Sequence, residues 1–146
     1  MSKTLKDIAD MMKDVDFCML QTVADNGAIA ARPMSNNREV EYDGDAWFFS
    51  SEDALSVRHI QTNPNVGLSY QGSAGILGVV GKPGAFIHVE AKAELVRDKA
   101  ELEKRWQKEL ERWWPEGPST PGILLIKAHA GRIHYWDGED QGEVQL

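Results

Sequence analysis

The chain has 146 residues, a net charge of −7, ordinary apolar content and no basic run. That balance excludes nucleic acid as the main partner, because neutralising phosphates needs clustered Lys and Arg; the length suits one domain with a real core. Its one cysteine, Cys18, excludes a disulfide framework and a thiolate metal cluster.

MSKTLKDIADMMKD places Leu5, Ile8, Met12 and Val15 at helical spacing, with Thr4 and Asp7 as a capping pair. No apolar run follows its lysines, so it reads as an amphipathic helix and not as a signal peptide. No stretch is long and apolar enough to span a bilayer, and a cytoplasmic location is the default expectation. FCMLQTV, 17–23, reads as a strand in which Cys18 is a buried small apolar residue rather than a nucleophile. Asn26-Gly27 favours a tight turn into a return strand, AIAARPM at 28–34. REVEY at 38–42 is expected as a third strand, YDGD as its turn, and AWFFS at 46–50 as a fourth.

Residues 53–62 fit a short helix with Leu55, Val57 and Ile60 partly inward, stopped at Asn63-Pro64. VGLSY at 66–70 is a fifth strand, 72–84 a glycine-rich loop, and AFIHVEAKAELV at 85–96 a long alternating strand. A helix is expected over 98–114, with Leu102, Trp106, Leu110 and Trp113 on one stripe, broken by PEGPSTPG. GILLIKAHA and GRIHYWDG are expected to close a hairpin, leaving EDQGEVQL as a polar tail. The sum is about seven strands and three helices without a βαβ rhythm, which favours an antiparallel, closed or nearly closed barrel over a doubly wound sheet. Side chains fill the interior of so small a barrel, so a ligand belongs on its outside or at a subunit seam.

The glycine-rich run is not a phosphate loop: Pro83 follows Gly81-Lys82, and Ile76 stands where the first glycine is required. His59, His88, His129 and His134 lack zinc-site spacing, and no G-x-S-x-G anchors a hydrolase triad. Trp106 reads as core. Of Trp113 and Trp114, at least one is exposed unless a partner covers it. Trp136, beside Asp137-Gly138, suits a flat ring system, a subunit interface or a packed strand end. Ser50, Ser51, Ser56 and Arg58 gather where a strand hands over to a helix start, a natural source of amide donors for an anion. Arg32, inside an apolar strand and next to Pro33, needs an anion partner. A structural carboxylate and a ligand phosphate both satisfy that need.

Taken in order, QTVADNGAIAARPM, YDGDAWFFSSEDALSV, IQTNPNVGLSY, VEAKAELVRDKAELEKRW and IHYWDGE resemble the FMN-binding split-barrel family, the pyridoxamine 5'-phosphate oxidase-like proteins. The likeness is nearest to their general-stress-protein subgroup. It implies a mainly β fold with flanking helices (α+β), an antiparallel split β-barrel that is homodimeric and holds FMN in clefts between the subunits. Carried over by position, Arg32 reaches the FMN phosphate, and Pro33 and Met34 run along the flavin. Phe49 and Ser50 border the ring, Ser51 and Ser56 belong to the adjoining turn, and Trp136 reaches the cofactor from the dimer seam.

Leu55 and Ser56 stand where the oxidases have an Arg-Lys pair on the phosphate, Asn37 where they have a second lysine, and Phe86 where they have a glutamine. The acidic tail lacks the arginines that close their substrate-phosphate site. The resemblance therefore implies a flavin-dependent oxidoreductase of a small molecule other than pyridoxamine phosphate, with no catalytic side chain assigned. The alternatives are a non-catalytic stress-response carrier of flavin, haem or deazaflavin, and a dimer that has lost its cofactor.

Overall fold

The computed structural model describes residues 2–36, 40–72 and 84–146. Helix α1 (Leu5–Met12) starts from a capping box: the Asp7 amide donates to the Thr4 hydroxyl, and the Thr4 amide donates to the Asp7 carboxylate. The chain continues through β1 (Phe17–Val23), β2 (Ile29–Ser35), β3 (Asp45–Ser51), α2 (Leu55–Thr62), β4 (Asn65–Gln71) and β5 (Ala85–Val96). Helix α3 (Lys99–Lys104) and 3-10 turns at Lys108–Arg112 and Gly117–Ser119 lead to β6 (Ile123–Asp137) and β7 (Asp140–Gln145). No described helix is long and apolar enough to cross a membrane.

Every ladder is antiparallel, in the order β2-β1-β4-β5-β6-β3, with β7 added to the C-terminal half of β6. Alternation decides which side is core: in β5, Ile87, Val89, Ala91 and Ala93 are buried, and Phe86, His88, Glu90 and Lys92 face the other way. Leu20, Leu68, Val89, Ile126 and Ile133 build the inner face, onto which Ile8 of α1 and Val57 of α2 pack. The fold is thus mostly antiparallel β with a few helices. Among the described residues, β2 and β3 each pair on one side only and keep a free edge.

Three expectations are corrected. Residues 40–42 form no strand: the Tyr42 hydroxyl donates to the Gly44 carbonyl at 3.3 Å and Asp43 accepts the Asp45 amide at 3.0 Å, which bends the chain into β3. Arg38 and Glu39 of that expected strand lie outside the described residues, as do Asn37 and the run 75–81.

The long helix stops at Lys104, and Gln107 is extended (φ −128, ψ 143). Trp106 and Trp114 both pack on Phe49, with centroids at 5.1 and 6.2 Å, whereas a continuous helix would set them about 12 Å apart along its axis. Packing on one ring overrides the helical stripe.

The expected hairpin at Ala130-Gly131 is one strand with a bulge: Glu90 pairs with Arg132 and Ala91 with Ala130, leaving Gly131 as the extra residue. The chain reverses instead at Gly138 (φ +66), and the expected polar tail is β7.

Cys18 is 1 % exposed, and burial pushes its thiol up to about 12. Iodoacetamide at pH 8 should leave the native thiol unmodified and label it once guanidinium unfolds the chain; mass spectrometry reads both, and rapid native labelling would contradict the burial.

Candidate functional site

Arg32 stands opposite Leu20 and shares the inward side of β2 with Met34, which stands opposite Cys18. Met34 is buried, but Arg32 is exposed because β2 is an edge strand. Its Nε donates to the Pro33 carbonyl at 3.4 Å, and among the described residues no carboxylate pairs with it. The structural-carboxylate alternative for Arg32 has no partner there.

A cavity of about 530 Å³ lies along the free edges of β2 and β3. It brings together Arg32, Pro33, Met34 and Phe49 of the sequence-predicted set, and leaves out Ser50, Ser51, Ser56 and Trp136. Ser50 is buried opposite Leu124, and the Ser51 hydroxyl donates to Asp53 at 2.7 Å.

Ser56, in the first turn of α2, is 6 % exposed, and its buried hydroxyl has no hydrogen-bond partner. Ala54 occupies the N-cap and gives no side-chain bond, so the first amides of α2 lack a side-chain acceptor. An orphaned hydroxyl at an uncapped helix start fits an anion such as a phosphate.

Trp136 lies elsewhere. It is paired with Phe86, 42 % exposed, and lines a second hollow with Phe86, Gly84 and Gly138. Along β6 it is eleven positions past Leu125, the partner of Phe49, or about 36 Å of extended chain. Its own chain does not bring it to the cavity.

The cavity also has an aromatic wall that no local pattern in the sequence announces. Trp47, Trp106 and Trp114 join Phe49 there, over the buried Leu102 and Leu125. The Arg105 guanidinium lies 3.5 Å from the Trp47 ring centre and its Nε donates to Glu101 at 3.3 Å.

The outward sheet face carries a charged cluster. Glu90 accepts from Arg132 Nε at 2.7 Å and bonds His134 Nε2 at 2.7 Å; Arg132 first and His134 next hold its carboxyl down at about 2. The His88 ring lies 6.4 Å from that of His134. Gly67 makes room here, since a Cβ at that position would lie 2.5 Å from Gln21 Oε1 and 2.9 Å from His88 Nε2. Burial first, then His134, lower the His88 pKa from its ordinary 6.5. As pH falls below 6.5 the unfolded chain therefore takes up this proton before the folded one, and stability that is fully present above 6.5 declines. Thermal melts at pH 7.5 and 5.5 should show that loss, and His88→Gln should reduce it; an equal loss in the variant would contradict the assignment.

The family model described as "Pyridoxamine 5'-phosphate oxidase like" matches residues 3–146. No curated protein matches the sequence. Among solved structures, a Clostridium acetobutylicum protein related to general stress protein 26 of Bacillus subtilis is similar at 17% identity, with 97% of this chain and 94% of that one covered and a TM-score of 0.78. General stress protein 26 of Bacillus anthracis is similar at 22% identity, covering 97% and 98% of the two chains, with a TM-score of 0.76. A heme binding protein from Mycobacterium smegmatis is similar at 11% identity, covering 99% of this chain and 59% of that one, with a TM-score of 0.71. At these identities the structural likeness is one of fold.

Proposed function

The chain belongs to the pyridoxamine 5'-phosphate oxidase-like family, and from that premise we propose that it is a homodimeric split-barrel flavoprotein that binds FMN and acts as an oxidoreductase of a small molecule. The observation that carries this reading is a pair of groups open to an anion: Arg32, exposed at the cavity and without a carboxylate among the described residues, and a buried, unpartnered Ser56 hydroxyl at the uncapped start of α2. In this reading Arg32, Ser51, Ser56 and the first amides of α2 hold the phosphate. Ser50 backs that turn, and Pro33, Met34 and Phe49 line the ring. FMN, when bound, supplies the hydride chemistry; these side chains bind and orient it.

The dimer is supported by the outward sheet face, where Phe17, Met19, Ile29, Phe86 and Trp136 are exposed large hydrophobic residues. Trp136, remote from the cavity of its own chain, is then available to the cavity of a second copy. The free edges of β2 and β3 are the split of the barrel.

A second reading, a carrier of another flat cofactor such as haem or deazaflavin, is favoured by the heme binding protein among the structural neighbours. Absorption spectra of the purified protein with added FMN and added haem separate the two. A yellow protein that releases a pigment of FMN mass supports the first reading, a haem band without flavin the second, and a colourless protein that takes up neither defeats both. Catalytic reduction of bound flavin by NADH or NADPH distinguishes enzyme from carrier. Light scattering should give twice the chain mass, and a monomer would overturn the shared cleft.

A further inference from the structure

The outward face of the sheet is ordered in rungs that run across the strands. One rung sets Met19 of β1 beside Ser69 of β4, Ser69 beside His88 of β5, His88 beside His134 of β6, and His134 beside Glu143 of β7. The next rung toward the β6–β7 turn pairs Phe86 with Trp136; on the other side Glu90 stands between Gly67 and Arg132. Both histidines thus lie between an aromatic rung and a charged one, on the face where Met19, Phe86 and Trp136 are open to solvent. The His134 ring stacks on Trp136 at 6.3 Å and 20°, with His88 6.4 Å away on its other side.

The fixed charges of this face are paired among themselves. Arg132 donates to both Glu90 oxygens, at 2.7 and 3.1 Å, and Glu143 lies 3.9 Å from Arg132. Such internal pairing suits a second copy, because a two-fold contact buries the same surface from both sides and an unpaired charge there is costly. Gln21 adds a group for a partner to meet: its Nε2 donates to Ser69 at 2.7 Å, and its Oε1 is buried without a hydrogen-bond partner among the described residues.

His134 is committed to Glu90 through Nε2 at 2.7 Å, but no carboxylate bonds His88 among the described residues. Around the His88 ring, its own strand brings Glu90, β6 brings His134 and Arg132, and β4 and β1 bring Ser69, Gly67 and Gln21, which do not titrate. Burial first, then His134, already favour the neutral ring, and cover by a second copy adds to that burial. A proton taken up by His88 places a cation on this face with Glu90 already engaged by Arg132 and His134.

Resting on the homodimer of the proposed function, we infer that His88 is an acid-sensitive release for the subunit interface. The two copies stay together while the ring is neutral and separate as it takes up a proton, which opens the clefts they share.

Sedimentation velocity at pH 7.5 and 5.0 reads the dimer dissociation constant, with circular dichroism following the fold at both. The constant should rise about ten-fold or more on acidification, since each of two equivalent rings contributes up to about ten-fold per pH unit below its pKa. His88→Gln keeps a polar side chain that takes up no proton, and should cut the rise to about three-fold or less. His129→Gln removes a histidine bonded to Asp45 outside this rung, and should keep the full rise. A rise that survives in His88→Gln, one lost in His129→Gln, or unfolding at pH 5.0 before the dimer separates would each overturn the proposal. A dimer of equal affinity at both pH values defeats the release alone, whereas a monomer at both defeats the homodimer and the release with it. No flavin is added, so a failure of FMN binding leaves this test intact.

Discussion

Replacing Arg32 with Ala lowers FMN affinity about 10- to 100-fold, because a charge-assisted bond to phosphate contributes about 1.5–3 kcal/mol. The melting temperature changes little, by about 2 °C or less, since an exposed side chain away from a core or network contributes about 0.5 kcal/mol at most. The two readouts separate because Arg32 has no carboxylate partner among the described residues and its Nε donates only locally, to the neighbouring Pro33 carbonyl. Arg32→Lys keeps the charge but loses the planar fork, so its affinity falls between the two. Quenching of FMN fluorescence on titration measures both. Unchanged affinity in Arg32→Ala removes this residue from the phosphate site.

How much of this was legible follows from where each signal lives. The capping pair Thr4 and Asp7, the alternation of β5 and the stop at Asn63-Pro64 are local, and the folded chain keeps them. Arg32 was legible for a similar reason: an arginine beside a proline in an apolar strand marks an edge, and β2 is one.

The wall of Trp47, Trp106 and Trp114 was not legible, because its members come from β3 and from a segment far along the chain, joined only through Phe49. The same contacts break the helix expected over 98–114, whose stripe was correct as periodicity and insufficient against packing on one ring. Ser56 was visible as a hydroxyl, but its burial without a partner is a property of the fold. Two glycines exchanged roles. Gly131 has the look of a turn and is a bulge, whereas Gly138, in an Asp-Gly pair that does encode a reversal, is followed by polar residues that carry no strand signal of their own.

That misread end of the chain makes the strongest stability test. Gly142 of β7 stands opposite Tyr135, and a Cβ there would lie 2.5 Å from the Tyr135 hydroxyl oxygen, 2.8 Å from Cζ and 3.3 Å from Cε1. The ring cannot easily yield: Tyr135 is 1 % exposed, and its hydroxyl accepts the Lys3 amide at 3.1 Å. Lys3 is itself held by Asp137 at 3.1 Å, so moving the ring disturbs the N-terminal segment and the β6–β7 turn together. Overpacking of this kind costs about 1–3 kcal/mol. For a chain of this size Gly142→Ala should lower the melting temperature by about 3–10 °C. Gly131→Ala is the matched control, since its Cβ would meet only the Glu90 carbonyl oxygen at 3.8 Å, an ordinary contact, and its melting temperature should stay near that of the parent. Equal melting temperatures for the two variants would mean that β7 does not close over Tyr135. A selective loss in Gly142→Ala would establish that the polar C-terminal run is a working strand of the sheet, packed on the same β6 that carries Trp136 to the outward face.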